Sequence, residues 1–366
     1  MLFMIYLFLV LILLALIVFL ILNLPQFGSA PAKERQIKIS NSENFYKGKF
    51  RNQSITPQFA KGITMFDVIK NQFKNHPNRK PNQAIPSIST DLSSLPLDKN
   101  ALVWFGHSSY LLILEGKRIL VDPVFSGFAS PFSFVIPAFE GSNTYQVADM
   151  PEIDILMLTH DHFDHLDYKT IKAIKSKVKS IITTLGVGEH LEKWGYDKSL
   201  ISELNWNESL NIDQNIVCIA KPSRHFSGRT MKGQNTLWAS FILKSPKETI
   251  YIGSDSGYDS HFTTIGEQYG PFDLVILENG QYNDHWPYIH MTPAETVQAA
   301  KDLKAKKLFP VHWGKFALAF HPWNASISEL TRICEVENQA YFTAKIGELV
   351  DWNSKKEGEK WWELMD

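Results

Sequence analysis

The chain has 366 residues, of which 44% are hydrophobic and 20% are charged, a balance typical of a globular protein with a large core. Its 37 basic and 38 acidic residues give a formal charge of -1, so no overall charge favours nucleic acid, and we expect no nucleic-acid partner. The two cysteines, Cys218 and Cys334, are too few for a disulfide framework and form no Cys-x-x-Cys motif. Both are predicted to be reduced core residues.

The N-terminus is an uncharged apolar run over residues 1–22, which as a helix would be roughly 33 Å long and would cross the hydrocarbon core of a bilayer. A cleaved signal peptide is the alternative, although the run lacks a basic start and only "GSAPA" after Phe27 suggests a cleavage site. We predict a retained transmembrane anchor over residues 1–23. Basic residues follow the run, which predicts that the rest of the chain lies on the cytoplasmic side.

Three further regions follow the predicted anchor. Residues 24–97 are rich in Asn, Gln, Ser, Pro and Lys, which predicts a linker and an extended arm on the domain, with one helix-like patch at "MFDVIKNQF". Strand-like and helix-like patterns then mix over residues 98–355, which predicts one α/β sandwich domain, followed by a C-terminal tail over residues 356–366.

The α/β region contains three clear helix patterns, "DYKTIKAIKSK", "GVGEHLEKWG" and "TPAETVQAAKDLKA". The last should be capped by Thr292, with Pro293 in its first turn. The predicted strands are "ALVWFGHSSYLLILEG", "KRILVDPV", "DILMLT", "SIITT", "NIVCIA", "LWASFILKS", "TIYIGS", "LVILE", "KLFPV" and "AYFTA".

The stretch "LTHDHFDHLD", residues 158–167, crowds three histidines and three aspartates directly after an apolar strand-like run. His160 and His162 are two residues apart, so in an extended segment their side chains point to the same side, as two ligands of one ion must. Asp164 and His165 follow at the start of a predicted helix. Burying so many ionisable groups is costly unless cations neutralise them, so the pattern predicts two adjacent metal ions.

Three later residues could complete this metal site. His225, Asp255 and His312 each lie where an apolar strand-like run opens into a Gly-containing loop. Taken alone, a residue in such a position is more often a hydrogen-bonded histidine or a turn aspartate than a metal ligand. However, strand ends at one rim of a sheet are where an α/β scaffold gathers a site from distant positions. We therefore predict that all three join the metal loop.

In this chain order the residues resemble the dinuclear site of the metallo-β-lactamase superfamily. The segments "WFGHSSYLLIL", "LVDPVFSGFASP", "THDHFDHLDY", "PSRHFSGRT", "GPFDLVILENGQY" and "HMTPAETV" are similar to N-acyl phosphatidylethanolamine-hydrolysing phospholipase D and its bacterial relatives. The resemblance covers about residues 103–351. It implies a four-layer αββα fold and two zinc ions, with manganese and iron as alternatives. It also implies that His160, His162 and His225 bind the first ion, that Asp164, His165 and His312 bind the second, and that Asp255 bridges them.

The resemblance implies further roles near the metals. Asp122 in "LVDP" would orient a ligand imidazole, and His107 and His290 would lie near the cleft. We predict Asp164, Asp255 and His290 as the catalytic residues, with His290 as the candidate proton donor to the leaving group. No organic cofactor is expected. Three basic residues beside the predicted ligands could pair with a phosphate or could simply lie at the solvated surface: Arg224, Arg229 and Lys315.

These features together predict a membrane-anchored dinuclear zinc hydrolase that cleaves a phosphodiester, with a glycerophospholipid such as N-acyl phosphatidylethanolamine as substrate. A hydrolase of a small ester, lactone or β-lactam stays open, since fold does not decide the substrate. A non-catalytic, membrane-anchored metal-binding protein is the third interpretation. A lipid-sized apolar groove beside the metals would favour the first, and a closed polar pocket the second.

Overall fold

A computed structural model describes residues 2–229, 233–353 and 358–365. The apolar N-terminal run forms one helix with no buried residue, long and apolar enough to cross a membrane by length and composition. The patch "MFDVIKNQF" is helical, as predicted, and its Thr64 side chain caps the first turn. The elements before the main domain are α1 (Leu2–Leu22), a 3₁₀ turn (Pro25–Phe27), α2 (Lys33–Ser40), β1 (Phe45–Tyr46), β2 (Lys49–Phe50), α3 (Met65–Gln72) and a second 3₁₀ turn (Leu92–Ser94).

Helix α2 and the β1–β2 hairpin were not predicted from the sequence. The helix sequence "KERQIKIS" has a weak apolar pattern, and tertiary contacts hold it instead. The Arg35 guanidinium is buried against the domain and pairs with three carboxylates, those of Glu189, Glu192 and Glu203. Residues 24–97 therefore pack on the domain through specific ion pairs, which composition does not reveal.

The first large sheet has seven strands in the order β15-β3-β4-β5-β6-β7-β8. The pairs from β15 to β5 are antiparallel, and those from β5 to β8 are parallel. Its central strands are almost fully buried, as expected for a sheet covered on both faces. The strands are β3 (Ala101–Trp104), β4 (Tyr110–Leu114), β5 (Lys117–Val121), β6 (Ile155–Leu158), β7 (Ile181–Thr184), β8 (Ile201–Leu204) and β15 (Leu349–Val350).

The second sheet has six strands in the order β14-β13-β12-β11-β10-β9. Here β12, β13 and β14 run parallel, and the remaining pairs are antiparallel. Side chains from both sheets meet in one large apolar core. The strands are β9 (Ser209–Asn211), β10 (Val217–Lys221), β11 (Ser240–Lys244), β12 (Thr249–Ile252), β13 (Leu274–Glu278) and β14 (Leu308–Val311).

Helices cover the outer faces of the two sheets and complete the αββα sandwich. The three predicted helices are present, and Thr292 caps the third with Pro293 at its first position. Two more helices were not predicted. The helices are α4 (Tyr168–Ile174), α5 (Gly188–Lys193), α6 (His261–Tyr269), α7 (Pro293–Asp302) and α8 (Ala325–Glu337), with 3₁₀ turns at Val147–Asp149, Lys175–Lys177, Lys198–Leu200 and Trp361–Leu364.

One predicted strand is wrong. The run "AYFTA" makes a single bridge, between Tyr341 and Leu308 of β14, and then leaves the sheet. Backbone groups of successive β14 residues point alternately to the two neighbouring strands. After Leu308, the next residue whose backbone faces the 340–342 segment is Pro310, which has no N–H to donate. The ladder therefore ends after one bridge.

The C-terminal residues pack into the domain core. Trp361 and Trp362 are buried, and the Trp361 ring stacks on Trp313 at 5.3 Å between centroids. Cys218 and Cys334 are buried with free thiols, as predicted. We keep the boundaries at residues 98 and 355 as a proposal for the hydrolase domain, with residues 358–365 packed onto it.

Candidate metal centre

The metal centre lies at one rim of the sandwich, where strands of both sheets end. In the first sheet, β5 and β6 are parallel neighbours, so their carboxyl ends place Asp122 beside the metal loop, residues 159–167. In the second sheet, β12, β13 and β14 are parallel, and Asp255, Glu278 and His312 lie at or just after their ends. The fold thus brings polar residues that are distant in the sequence to one place.

The first cluster of ligand atoms contains His160, His162, His225 and Asp255, all within 4.8 Å of one another. His162 Nδ1 lies 3.0 Å from His160 Nε2 and 3.2 Å from His225 Nε2. Asp255 Oδ2 lies 3.7 Å from His225 Nε2. Three imidazoles and a carboxylate converging on one point match the ligand set of a catalytic zinc or a similar divalent ion.

The second cluster contains Asp164, His165 and His312, together with His107. Asp255 reaches this cluster as well, because its Oδ2 lies 3.2 Å from His165 Nε2 and its Oδ1 lies 3.1 Å from His312 Nδ1. Asp255 therefore stands between the two clusters. The structure brings all seven predicted ligands together, and we propose that they bind two divalent ions.

Unsatisfied buried atoms show that the site fits such ions. Among the described residues, His165 Nε2, His312 Nε2 and Asp255 Oδ1 are buried and have no hydrogen-bond partner. Leaving buried polar atoms unpaired costs about 1–3 kcal/mol each, and coordination would remove that cost. Nitrogen and carboxylate donors suit zinc, manganese and iron alike, so the donor set fits a dinuclear centre of any of them.

Hydrogen bonds behind the ligands set their orientation. His165 Nδ1 donates to Asp122 Oδ2 at 2.8 Å, and His225 Nδ1 donates to the Ile289 carbonyl oxygen at 2.9 Å. Asp122 is held in turn by the Thr159 amide at 2.9 Å and hydroxyl at 2.6 Å. Because Nδ1 carries the proton, Nε2 keeps its lone pair free for an ion.

Backbone strain is concentrated at the same site. His107, Asp122 and His312 have φ angles of 54°, 39° and 69°, in the left-handed region that non-glycine residues avoid. Such conformations cost of order 1–3 kcal/mol each and persist where the surrounding structure fixes them. His107 Nε2 lies 2.9 Å from Asp164 Oδ2, so this strained loop positions a predicted ligand.

Burial and neighbouring charges set the protonation states. Burial lowers the pKa of His160, His225 and His312 well below its usual value, so their imidazoles are neutral, the form that binds metal. Burial alone would raise the pKa of Asp164 and Asp255, but the adjacent histidines, His165 above all, outweigh it and hold both pKa values well below the usual range. Both carboxylates are therefore ionised, which is the form that binds a divalent cation.

Asp161 and His190 belong to the site but were not predicted. Asp161 points away from the flanking ligands because side chains alternate along an extended segment. Its carboxylate lies 3.2 Å from His190 Nε2 and accepts from the Gly228 amide at 2.7 Å. His190 Nδ1 accepts from the Ser29 amide at 2.9 Å, so this network ties the metal loop to the segment after α1.

Of the three basic residues suggested as phosphate partners, Arg229 and Lys315 are buried and Arg224 is partly exposed. Each donates to backbone carbonyl oxygens and fixes loops around the centre. The bonds run from Arg224 Nη1 to Tyr258 O (2.9 Å), from Arg229 Nη1 to Asp161 O and Leu166 O (2.7 Å each), and from Lys315 Nζ to Val124 O (2.8 Å) and Phe105 O (3.1 Å).

The buried Lys315 should make the stability of the protein depend on pH. Burial lowers its pKa to about 7, below the usual value near 10.5, so between these values the unfolded chain binds more protons than the folded one. The free energy of unfolding should therefore rise as pH increases from 7 to 10. In Lys315→Met this rise should be smaller, as measured by urea unfolding at several pH values. Equal slopes in both proteins would contradict the assignment.

A carboxylate that was not predicted accompanies His290. Glu278 ends β13, accepts from the Met291 amide at 2.6 Å, and lies 3.6 Å from His290 Nδ1. Burial lowers the pKa of His290, but Glu278 outweighs this and raises it above the usual value. The His290 ring lies 5.2 Å from that of His312, so a protonated imidazole can stand beside the metal ligands. The sequence signal that could have identified Glu278 is its position at the end of the apolar run "LVILE".

Known proteins share this fold. Residues 117–313 match the beta-lactamase superfamily domain family. A metallo hydrolase of Ignicoccus hospitalis, Igni18, superposes with a TM-score of 0.54 at 20% identity, over 69% of this chain and 97% of that one. The chain belongs to the metallo-β-lactamase superfamily, and it is a metal-dependent hydrolase of that family.

Two relatives are similar to more than half of this chain. An uncharacterized protein of Mycobacterium tuberculosis is 40% identical over 343 residues, 92% of this chain and 91% of the relative. The N-acyl-phosphatidylethanolamine-hydrolyzing phospholipase D 1 of Caenorhabditis elegans is 32% identical over 229 residues, 59% of this chain and 64% of the relative.

Proposed function

We propose that this protein is a membrane-anchored dinuclear zinc phosphodiesterase that hydrolyses N-acyl phosphatidylethanolamine or a related glycerophospholipid. The observation that carries the proposal is the position of Asp255 between two clusters of ligand atoms. A closed structural zinc needs only four ligands, so a second cluster sharing Asp255 favours catalysis over a binding role. The similarity to a nematode phospholipase D supports the substrate class.

The retained anchor is part of this proposal, and contacts of residues 25–29 support it. Trp194 Nε1 donates to the Pro25 carbonyl at 2.8 Å, and Arg229 Nε donates to the Gln26 carbonyl at 2.9 Å. Cleavage in "GSAPA" would remove these two acceptors together with the Phe27 side chain, which is buried against the domain. We place the domain on the cytoplasmic side because basic residues follow the helix.

The seven ligands would hold two divalent ions, which supply Lewis acidity and lower the pKa of water at the phosphate. Hydrolysis in the phospholipase D sense breaks the bond between phosphorus and the head-group oxygen and yields phosphatidic acid and an N-acylethanolamine. His290 would donate its proton to the departing head-group oxygen, with Glu278 keeping the imidazole protonated. We propose Asp164 and Asp255 as the carboxylates that fix the two ion positions.

Apolar side chains beside the ligands support a lipid substrate. The Phe226 ring lies 4.5 Å from that of His162 and packs against a cluster that includes Trp286, Ile289 and Phe320. Phe226 is only partly buried, and an apolar ring beside a ligand suits acyl chains better than it suits a small polar ester. It therefore favours a glycerophospholipid over a lactone or a β-lactam.

A substrate panel on the metal-loaded full chain tests the proposal. We expect two metal equivalents per chain, turnover of N-acyl phosphatidylethanolamine in mixed micelles, and loss of turnover after chelation that zinc restores. Phosphatidylcholine, bis-p-nitrophenyl phosphate, a lactone and a β-lactam complete the panel. Turnover of carbonyl substrates alone would refute the phosphodiesterase assignment, and one tightly held ion without turnover would support a binding protein.

A further inference from the structure

Two exposed apolar elements lie beside the metal centre. The first is the loop tip at residues 131–136, where Phe134 is 82% exposed within an uncharged stretch, residues 123–139. The second is the outer face of α3 and its C-terminal residue. Four large side chains there are 48–87% exposed at helical spacing: Met65, Phe66, Ile69 and Phe73. Contiguous exposed apolar surface of this kind marks an interaction site.

Ring contacts connect the loop tip to the anchor and to the metal loop. Phe134 stacks on Phe132 at 5.7 Å between centroids, and Phe132 contacts Phe27 at 6.2 Å. Phe27 contacts Phe163 at 5.9 Å, and Phe163 lies next to the predicted ligand His162 in the chain. The loop tip therefore lies between the end of α1 and one side of the metal centre.

Helix α3 lies on the other side of His162. The Phe226 ring contacts His162, and Phe226 packs against the same apolar cluster as Val68 of α3. The Val68 side of the helix thus faces the protein, and the opposite side carries the exposed apolar residues. The two elements flank the metal centre.

We propose that the loop tip and α3 insert into the bilayer spanned by α1 and hold the metal centre against the membrane surface. This inference rests on the proposed anchoring by α1. Leu22 and Gln26 are four residues apart, so the domain surface that binds Gln26 lies within about 14 Å of the helix end. Exposed phenylalanine side chains this close to the bilayer gain free energy when they leave water for lipid.

The surrounding charges fit an anionic lipid surface. Lys169 and Lys172 lie on α4 beside the loop, and the Lys169 ammonium stands 4.8 Å from the Phe128 ring centroid. Lys70 and Lys74 are exposed at the end of α3. Basic residues bordering an apolar surface strengthen binding to anionic head groups. The bilayer is therefore the occupant that the chemistry of these elements favours.

Depth-dependent fluorescence quenching tests the proposal with the full chain in liposomes of phosphatidylcholine and phosphatidylglycerol. Phe134→Cys and Phe66→Cys each receive an environment-sensitive nitrobenzoxadiazole label, which is selective because both native cysteines are buried. The control is Val336→Cys on α8, 69% exposed. Lipids spin-labelled at shallow acyl positions should quench labels 134 and 66 strongly and label 336 weakly.

Each other outcome overturns the inference. Weak quenching at 134 and 66 in chains that float with the liposomes would refute membrane insertion while leaving the anchor and the enzymatic proposal intact. Chains that fail to float would refute the anchor, and the inference with it. Shielding of either label that depends on protein concentration and not on lipid would assign the surface to a second copy of the chain.

A functional measurement adds a readout independent of the labels. Phe66→Ser combined with Phe134→Ser should lower turnover of diester embedded in vesicles roughly tenfold, since the variant loses the burial of two aromatic side chains in lipid. Hydrolysis of soluble bis-p-nitrophenyl phosphate should stay unchanged, because neither residue contacts a ligand. Equal loss on both substrates would contradict a role at the membrane.

Discussion

Replacing Asp255 by asparagine should lower kcat/KM by at least about 1000-fold and reduce the bound metal from two equivalents toward one. The side chain approaches both clusters, because its Oδ2 lies 3.7 Å from His225 Nε2 of the first and 3.2 Å from His165 Nε2 of the second, so both ion positions depend on its charge. Losing a residue that merely orients a ligand costs 10–100-fold, and a shared ligand should cost more. Metal analysis of dialysed protein and steady-state kinetics measure both effects.

Asp154→Asn is the matched control. This aspartate precedes β6 and bonds to the Lys179 ammonium at 2.8 Å. It should keep both metal equivalents and nearly full activity. Two tightly bound ions in Asp255→Asn, with activity preserved, would show that Asp255 does not bridge the ions.

Replacing His290 by glutamine should slow hydrolysis of diesters with alkyl leaving groups by roughly 100- to 10,000-fold, the usual contribution of general acid catalysis. The effect should nearly vanish for bis-p-nitrophenyl phosphate, because p-nitrophenolate leaves without a proton. Glu278 holds the pKa of His290 up, so wild-type activity on alkyl diesters should persist to higher pH than in Glu278→Gln. Measuring kcat/KM of both variants as a function of pH and of leaving-group pKa separates proton donation by His290 from the effect of Glu278 on the pKa of His290.

Equal losses on both classes of substrate would assign His290 to metal or substrate binding instead of proton donation. Metal analysis distinguishes those two, because a binding ligand lost from the centre lowers its metal content. Thr292→Ala provides a neighbouring control that removes the cap of α7 and leaves the His290–Glu278 pair in place. This substitution should lower the free energy of unfolding but leave the dependence of kcat/KM on leaving-group pKa nearly unchanged.

Strong local patterns determined much of the fold. Most strands are continuous apolar runs such as "DILMLT", and α7 has both a cap and a proline at its start. Helix α8 was missed although Asn338, in the left-handed conformation at φ 55°, ends it in a recognisable way. Helix α2 has no local sequence pattern that predicts a helix. The ion pairs of Arg35 with the domain stabilise it instead.

The sequence by itself indicated a metal site, since seven histidines and aspartates occur in the order that resembles the metal ligands of the superfamily. Tertiary structure alone decided which groups support them. The links from Asp161 to His190, from His107 to Asp164 and from Glu278 to His290 join residues 12 to 57 positions apart in the chain. Contacts of this kind depend on how strands end at one rim, and spacing along the chain does not encode that.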